Sequence, residues 1–475
     1  MALSVVIFLW AVNFAPPLAA YFLESKWGYP LDGGLNFFDG QPLLGRHKTL
    51  RGLFAALATG MLAGYILGWG WWLGFLAAML SMCGDLGSSF LKRRLKLPSG
   101  SDVPGLDQFL EGIFPLFLLK FSLHLSWLFS FFLLILFCVG AFAGSKIYKS
   151  TLLKEPFSGY PRPLRARVRF RELTSCKIQS PFWARIFNFE EGIYYHLLIY
   201  GFFRLTGLYE RGKKNALKFG VKELQLGFAN LPASFDGYKI LFMSDLHLDG
   251  LSGVTERLIG LLSDKSFDLC ILGGDYRMFT FGEYSGASKQ LQRLVQSICA
   301  RDGIYAVLGN HDCLEMVDAL RKSGVEMLIN DSACLEKDGE FMQVVGVDDP
   351  HYYRCHDLKQ AFKGVSTTDF SLFVAHSPVL YRDVLKYEPE LYLAGHTHAG
   401  QVQIPRLGMI FTHCPTPRKY CQGVWKYKGI LGYTSSGVGV SGVPVRFYCQ
   451  GELVVLTLKK DSEQSIEEYS TKSSF

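Results

Sequence analysis

Four stretches within the first 144 residues are too long and too apolar for a water-soluble domain: 1–22, 52–70, 71–90 and 109–144. About 20 mostly apolar residues cross a bilayer. The first three stretches are each one span's worth. The fourth, interrupted by Lys120 and His124, is long enough for two spans joined by a tight hairpin. Five spans are therefore expected. A membrane all-α bundle follows, because a backbone in lipid must satisfy its own hydrogen bonds. Leu18-Ala19-Ala20 resembles a signal-peptide cleavage site, but a positively charged start is missing and Pro16-Pro17 interrupts the run, which favours a retained span.

Charge divides the chain at the same place. Residues 1–149 hold 18 Lys, Arg, Asp and Glu, against 73 in residues 150–475. The net charge of +7 is shared between the two parts, so no basic face marks a nucleic-acid partner. The loop 23–51 carries Lys26, Arg46, Lys48 and Arg51, and the loop 91–108 carries Lys92, Arg93, Arg94 and Lys96, whereas the turn 68–72 has no cation. Lys and Arg favour the cytoplasmic side. With five spans this puts the N-terminus outside and the larger C-terminal part in the cytoplasm of a bacterial inner membrane or its equivalent. Eleven scattered Cys without a CxxC pair read as reduced thiols, not a disulfide framework or zinc site.

The loops between spans hold more than anchoring charge. Asp39-Gly40 and Lys48-Thr49-x-Arg51-Gly52 lie in the first, Gly84-Asp85 and Ser89-Phe-x-Lys92-Arg93-Arg94 end the third span, and Asp107-Gln108 precedes the fourth. Carboxylates there can hold Mg²⁺ with phosphate oxygens, and Lys or Arg can hold the phosphates. The plain alternative is that Lys92 to Lys96 is only a positive-inside anchor. With Asp32-Gly-Gly, these elements resemble the CDP-archaeol synthase branch of the CTP:phosphatidate cytidylyltransferases over roughly residues 10–145. The resemblance implies transfer of CMP from CTP to a membrane lipid phosphate, with Mg²⁺ accompanying CTP. Asp85 and Asp107 would hold metal, Lys92 and Arg93 would hold phosphates, and Asp39 and Lys48 belong to the same motif set. The family has a second Asp three positions after the one matching Asp107. Here that position is Leu110 with Glu111 beside it, so either Glu111 substitutes or the site is dead.

Residues 150–220 read as a basic linker with Pro156, Pro161, Pro163 and Pro181. An aromatic-rich segment, 182–208, reads either as an interfacial helix with Arg185, Arg204 and Arg211 at lipid phosphates or as a helix packed on the following domain.

Beyond residue 220 the pattern changes to short apolar strands, 238–244, 267–272 and 304–308, separated by helical stretches at 253–263 and 286–299, which indicates an α/β core. Polar residues sit just past the strand ends: Asp245-Leu-His247, Gly273-Gly-Asp275, Gly309-Asn310-His311-Asp312, Ala375-His376-Ser-Pro and Gly395-His396-Thr-His398. Strand ends are where α/β sheets build sites. Asp245, His247, Asp275, Asn310, His376, His396 and His398 offer mixed O and N donors suited to two first-row divalent ions, Mn, Fe or Zn.

These five blocks, in order, resemble the calcineurin-like metallophosphoesterases over roughly residues 225–460, a fold with two mixed β-sheets sandwiched by helices. The resemblance implies that Asp245, His247 and His398 hold one ion, that Asn310, His376 and His396 hold the other, and that Asp275 bridges. His311 would be the general acid, oriented by Asp312. The start Asn230-Leu-Pro…Phe235-Asp-Gly-Tyr-Lys-Ile looks most like the membrane-associated branch that acts on lipid-linked phosphate esters and pyrophosphates.

The expected organisation is a membrane domain over 1–149, a linker over 150–220 and a phosphoesterase domain over 221–475. Three functions fit it. The first is a lipid phosphoesterase fused to an active cytidylyltransferase. The second is a phosphoesterase alone, resembling UDP-diacylglucosamine pyrophosphatase, on a lapsed membrane anchor. The third is a scaffold with both sites lapsed. The expected partners are a lipid phosphate or nucleotide-lipid and the membrane itself. Aromatic residues at 349–355 form either a lid over an acyl chain or an ordinary surface loop.

Overall fold

The spacing of apolar and polar residues sets two compact units in this computed structural model. Its described residues are 2–24, 26–97, 103, 105–178, 180, 182–183 and 198–469. One unit comprises Met1–Tyr160 and Leu164–Arg167, the other Pro161–Pro163 and Val168–Phe475.

Among its described residues the first unit has five long helices, α1 (Ala2–Leu23), α2 (Leu50–Ile66), α3 (Trp71–Arg94), α4 (Leu106–Ser122) and α5 (Trp127–Thr151), which fall on the four apolar stretches, α4 and α5 sharing the fourth. By length and composition, α1 from Leu3, α3 and α5 can cross a membrane. The other two differ from that expectation by being shorter, 17 residues each. They reach about 25 Å at ~1.5 Å per residue. Thr49 starts α2 by accepting the Gly52 N–H. Gly68 and Gly70, both at positive φ, close the turn into α3.

Small residues let these helices approach closely. A Cβ on Gly84 of α3 would lie 2.0 Å from the Leu110 carbonyl oxygen of α4. The Leu110 carbonyl and the Glu111 Cα, which that Cβ would approach to 2.9 Å, are thus at the helix crossing, with Asp107 one turn before Glu111. Gly84→Val is expected to wedge α3 from α4 and lower the apparent melting temperature in detergent by about 5 °C or more. An unchanged melting curve would show that the two helices do not need this contact.

In the second unit, a seven-stranded sheet runs in the order Ile466–Tyr469, Gly220–Phe228, Glu452–Lys460, Lys239–Met243, Leu269–Leu272, Ile304–Ala306, Val325–Met327. A six-stranded sheet runs Gly423–Tyr427, Ile430–Thr434, Leu391–Ala394, Phe370–Val374, Glu340–Gly346, Asp331–Lys337. Both are mixed: Lys239–Met243 is parallel to Leu269–Leu272 but antiparallel to Glu452–Lys460. Alternate strand residues face opposite ways. Ile240, Phe242, Leu269 and Ile271 of one sheet therefore join Val344, Leu372, Val374, Leu391 and Leu393 of the other in one buried core. The intervening Val345, Phe373 and Tyr392 pack outward on Leu358, Phe362 and Val384. Parallel neighbours end side by side, so the loops after Met243, Leu272, Ala306, Val374 and Ala394 gather at one end.

One cysteine expectation is overturned. Cys176 and Cys313, 137 positions apart, form a disulfide, and the other nine are free. Nothing in their spacing signals the pair. The residue before Cys176 is brought against the loop-bearing end of the sheets by tertiary contacts: the Ser175 carbonyl accepts from Arg277 and its hydroxyl meets the Tyr352 hydroxyl at 3.2 Å.

Of the segment 182–208, residues 184–197 lie outside the described residues. The helix Tyr200–Leu205 buries Phe203 against Val443, Val445 and Phe447, so this part packs on the domain, while Phe202 and Leu205 face outward.

Candidate functional site

The loops at the strand ends bring all seven expected donor residues together. Asp245, His247, Asp275, His396 and His398 all adopt positive φ, between 43° and 73°. Such backbone is strained in non-glycine residues and collects where side chains must be aimed. Gly309 shows why its loop admits no side chain: a Cβ there would lie 2.1 Å from Asp275 Oδ1.

The donors form interlocking groups. In one, the Nε2 atoms of His247 and His398 face each other at 3.1 Å, with Asp245 Oδ1 3.4 Å from His398 Nε2. In the other, Asn310 Oδ1 lies 3.1 Å from His376 Nε2 and 2.8 Å from His396 Nδ1. Asp275 Oδ2 stands between them, 3.2 Å from His376 Nε2 and 3.9 Å from His247 Nε2. His311 Nε2 points at the same oxygen from 3.6 Å. Within each of the sets Asp245–His247–His398, His247–Asp275–His311 and Asp275–His376–His396, the ligand atoms lie within 4.8 Å of one another.

The outer atoms of the rings are already committed. His247 Nδ1 donates to the Arg277 carbonyl at 2.6 Å, His376 Nδ1 to the Gly273 carbonyl at 2.8 Å, and His396 Nε2 to the His413 carbonyl at 3.2 Å. With the outer nitrogen donating, the neutral form of each ring presents its other nitrogen to the cluster, as metal-ligating histidines do. Burial pushes His247 down to about 3 and lowers His398 and His396 well below the usual imidazole range. Burial likewise raises Asp245 and drives Asp275 up to about 7. Burial opposes the charge on His376, yet the Asp275 carboxylate beside it pushes it up to about 10. Three imidazoles held neutral by burial, and a fourth whose charge answers the crowded carboxylates, fit a site for two divalent ions.

Asp312 behaves differently from expectation. Its Oδ2 accepts the N–H groups of Asp275 and Gly309, both at 2.8 Å, and its Oδ1 accepts that of Tyr276 at 2.9 Å. It ties two site loops together rather than orienting the His311 ring. The His311 N–H donates to Asp275 Oδ1 at 2.9 Å.

Three supporting residues gave no signal in the sequence. Arg277, fully buried, donates to the carbonyls of His311, Ser175, Thr280 and Gly282. Arg446, also buried, donates to the carbonyls of Ser436, Gly437 and Gly439 and lies 3.4 Å from His398 Nδ1. Asp349 folds its loop by accepting the N–H groups of His351, Tyr352 and Tyr353. That loop is no free lid. Tyr353 is buried under Arg162, whose guanidinium pairs with Asp348, and Arg171 covers Tyr352. His351 alone turns to the site, its ring centre 4.2 Å from that of His396.

The helical unit has a second candidate site. A cavity of about 380 Å³ is lined by Lys48, Asp85, Lys92, Arg93, Asp107 and Glu111, among others. Lys48 Nζ meets Asp85 at 2.5 Å and Lys92 Nζ meets Asp107 at 2.8 Å. Asn13 donates to Glu111. Asp39 is not in this lining. It pairs with Arg94 at 3.0 Å. Asp32, in the same loop, is held below the ordinary carboxylate range. Its burial acts the other way, but the N–H groups of Gly34, Leu44 and Gly45 prevail.

Residues 238–400 match the family model described as calcineurin-like phosphoesterase. The phosphodiesterase YaeI of Escherichia coli is 30% identical over 233 residues, 46% of this chain and 82% of that protein. A transmembrane protein with metallophosphoesterase domain from Danio rerio is 26% identical over 259 residues, 50% of this chain and 57% of that protein. In the helical part, the CDP-archaeol synthase of Thermofilum pendens is 35% identical over 104 residues, 21% of this chain and 51% of that protein. The chain thus spans about half the length of these last two relatives.

Proposed function

This chain belongs to the calcineurin-like phosphoesterase family, and we propose that it hydrolyses a phosphate ester or pyrophosphate carried by a membrane lipid. It is an integral membrane protein and a metal-dependent phosphohydrolase. The observation that carries the lipid reading is the pairing of this donor cluster with three helices able to cross a membrane on one chain. Asp245, His247 and His398 are proposed to hold one ion, Asn310, His376 and His396 the other, with Asp275 between them. Two ions so held would neutralise phosphoryl oxygens and make water a better nucleophile.

The protein's own groups supply the rest. The carbonyls of Arg277, Gly273 and His413 fix the ring tautomers. Asp312 locks the loops of Asp275 and Asn310 together. His311 has its Nε2 at the edge of the cluster, 3.6 Å from Asp275 Oδ2, and is proposed to deliver a proton to the leaving oxygen. The cationic loops 23–51 and 91–108 support a cytoplasmic phosphoesterase. Cysteine usage gives that placement no support, since cytosolic thiols are kept reduced.

The test uses the full chain in detergent with Mn²⁺ and matched esters, one dissolved and one carried in lipid micelles. Preferential cleavage of the micelle-borne ester is expected, and equal cleavage of both would remove the lipid reading. His311→Ala should lower kcat by about 10²–10⁴-fold with metal content unchanged. Loss of metal alongside activity would make His311 a ligand instead.

A second reading concerns the helical unit. Its cavity gathers two carboxylate–lysine pairs and Glu111, in the part similar to a CDP-archaeol synthase. That supports transfer of CMP from CTP to a lipid phosphate, with Glu111 serving where Leu110 cannot.

A further inference from the structure

The turn carrying His396 and His398 runs directly into a hairpin, Gln403–Ile404 paired with Gly408–Met409. The far end of this excursion returns to the same imidazoles through the His413 carbonyl bonded to His396. The base is tightly closed, because a Cβ on Gly400 would lie 2.6 Å from the Phe411 carbonyl oxygen. The hairpin is therefore a fixed rim of the donor cluster. Its side chains do not pack inward: Ile404, Leu407, Ile410 and Phe411 are exposed, Leu407 by 74%.

This apolar rim continues sideways. Gln403 donates its N–H to the Phe447 carbonyl at 2.9 Å, and the Phe447 ring stacks on Phe203 at 5.5 Å. Beside these contacts Tyr448 is 72% exposed and Leu205 91% exposed. Around the apolar groups cations predominate. From His396 to Gln422 the sequence carries Arg406, Arg418 and Lys419 and neither Asp nor Glu. The adjoining helix Tyr209–Ala216 adds Arg211, Lys213 and Lys214, with Glu210 pairing to Arg204. Exposed apolar side chains ringed by cations are the chemistry of a surface that lies on anionic lipid.

We infer that the hairpin 403–411, together with Tyr448 and the outer face of the helix Tyr200–Leu205, docks on an anionic bilayer surface and holds the donor cluster at the level of lipid headgroups. The occupant is the membrane because the same chain carries three spanning helices, so a bilayer is always within reach, and because the surrounding charge is complementary to it. The purpose assigned to this face rests on the lipid-phosphate reading, while its geometry does not. Apolar side chains that enter the acyl boundary would fix the distance between phosphate and cluster. They would thereby favour esters carried in the bilayer.

The test places the full-length chain in nanodiscs of phosphatidylglycerol or phosphatidylcholine. Leu407→Trp adds one indole to the protein's eight, and its contribution is read as the difference from the unaltered chain. That added emission should shift to the blue and be quenched by acyl-brominated phosphatidylglycerol, and less by brominated phosphatidylcholine. The double variant Leu407→Asp, Phe411→Asp should raise KM for a disc-borne phosphate ester about tenfold or more, leaving turnover of a dissolved ester unchanged. An added indole that brominated lipid does not quench overturns the inference. So does one that shifts with protein concentration in detergent, which would assign the face to a second copy. Quenching without hydrolysis of any disc-borne ester keeps the docking and rejects the lipid-phosphate reading.

Discussion

Replacing Asp275 by Asn is expected to abolish phosphoester hydrolysis, lowering kcat by about 10³-fold or more, because two-ion stabilisation of a phosphoryl transition state is worth several kcal/mol. The substitution keeps shape and one acceptor, so the His311 N–H, now 2.9 Å from Oδ1, retains a partner. It removes the charge that stands between the two donor groups. The fold should not suffer. Burial drives the Asp275 carboxyl up to about 7, with Asp312 and Asp245 adding repulsion against the pull of His376, so a neutral side chain removes a buried charge that is only partly compensated when no cation is bound. The melting temperature of chelated protein is therefore expected to stay level or rise. The increase that Mn²⁺ gives the unaltered chain, a direct readout of binding to the native state, should shrink or vanish. Metal content per chain and melting curves with and without chelator check both halves. Retained hydrolysis in the purified variant would end the bridging assignment. A collapsed melting temperature in chelator would make Asp275 a structural residue.

The sequence carries much of this architecture because its strongest signals are local. An apolar run of span length has few alternatives, and a strand followed by Asp-Leu-His or Gly-Asn-His-Asp places its polar groups at the strand's end without knowledge of the partner strands. The groups that complete the site come from far along the chain. Arg277 and Arg446 bond backbone carbonyls of distant segments, and an isolated Arg advertises no such partner. Asp312 lies beside His311 in the sequence, which invites a side-chain pairing, yet its oxygens are closer to the N–H groups of a loop 36 and 37 positions away. Cys176 and Cys313 meet through tertiary packing across 137 positions. The aromatics at 352 and 353 read as lid or loop from composition. Burial under Arg171 and Arg162 decides for the loop and leaves only His351 at the site. In the helical unit, the short α2 and α4 show how turns and charges trim a helix that hydropathy alone would extend.

Asp85→Asn is the decisive substitution for the second cavity, and it is best read in protein already carrying Asp275→Asn. A phosphoesterase that cleaved a CDP-lipid would erase the product, so hydrolysis must be silent first. Incubated with labelled CTP, Mg²⁺ and a panel of lipid phosphates, the Asp275→Asn chain is expected to form labelled CDP-lipid, and the added Asp85→Asn change should reduce it about a hundredfold or more. The geometry makes the prediction specific. Asp85 sits opposite Lys48, and Asp107 opposite Lys92, in one cavity of about 380 Å³, within the ~300–1,000 Å³ range of small-molecule sites. The paired charges are complementary to the two halves of a cation-bound triphosphate: carboxylates for the cation, ammonium groups for the phosphates. Leu110, the departure from the family pattern, occupies the crossing where its carbonyl meets Gly84. Glu111, on the same face of α4 as Asp107, is the carboxylate that reaches the cavity. Glu111→Gln should then cut product as Asp85→Asn does, whereas an anchor would be indifferent to both. Absence of product with every acceptor, from protein whose unaltered form still hydrolyses phosphate esters, would leave the phosphoesterase alone active and make Leu110 the position where transfer was lost.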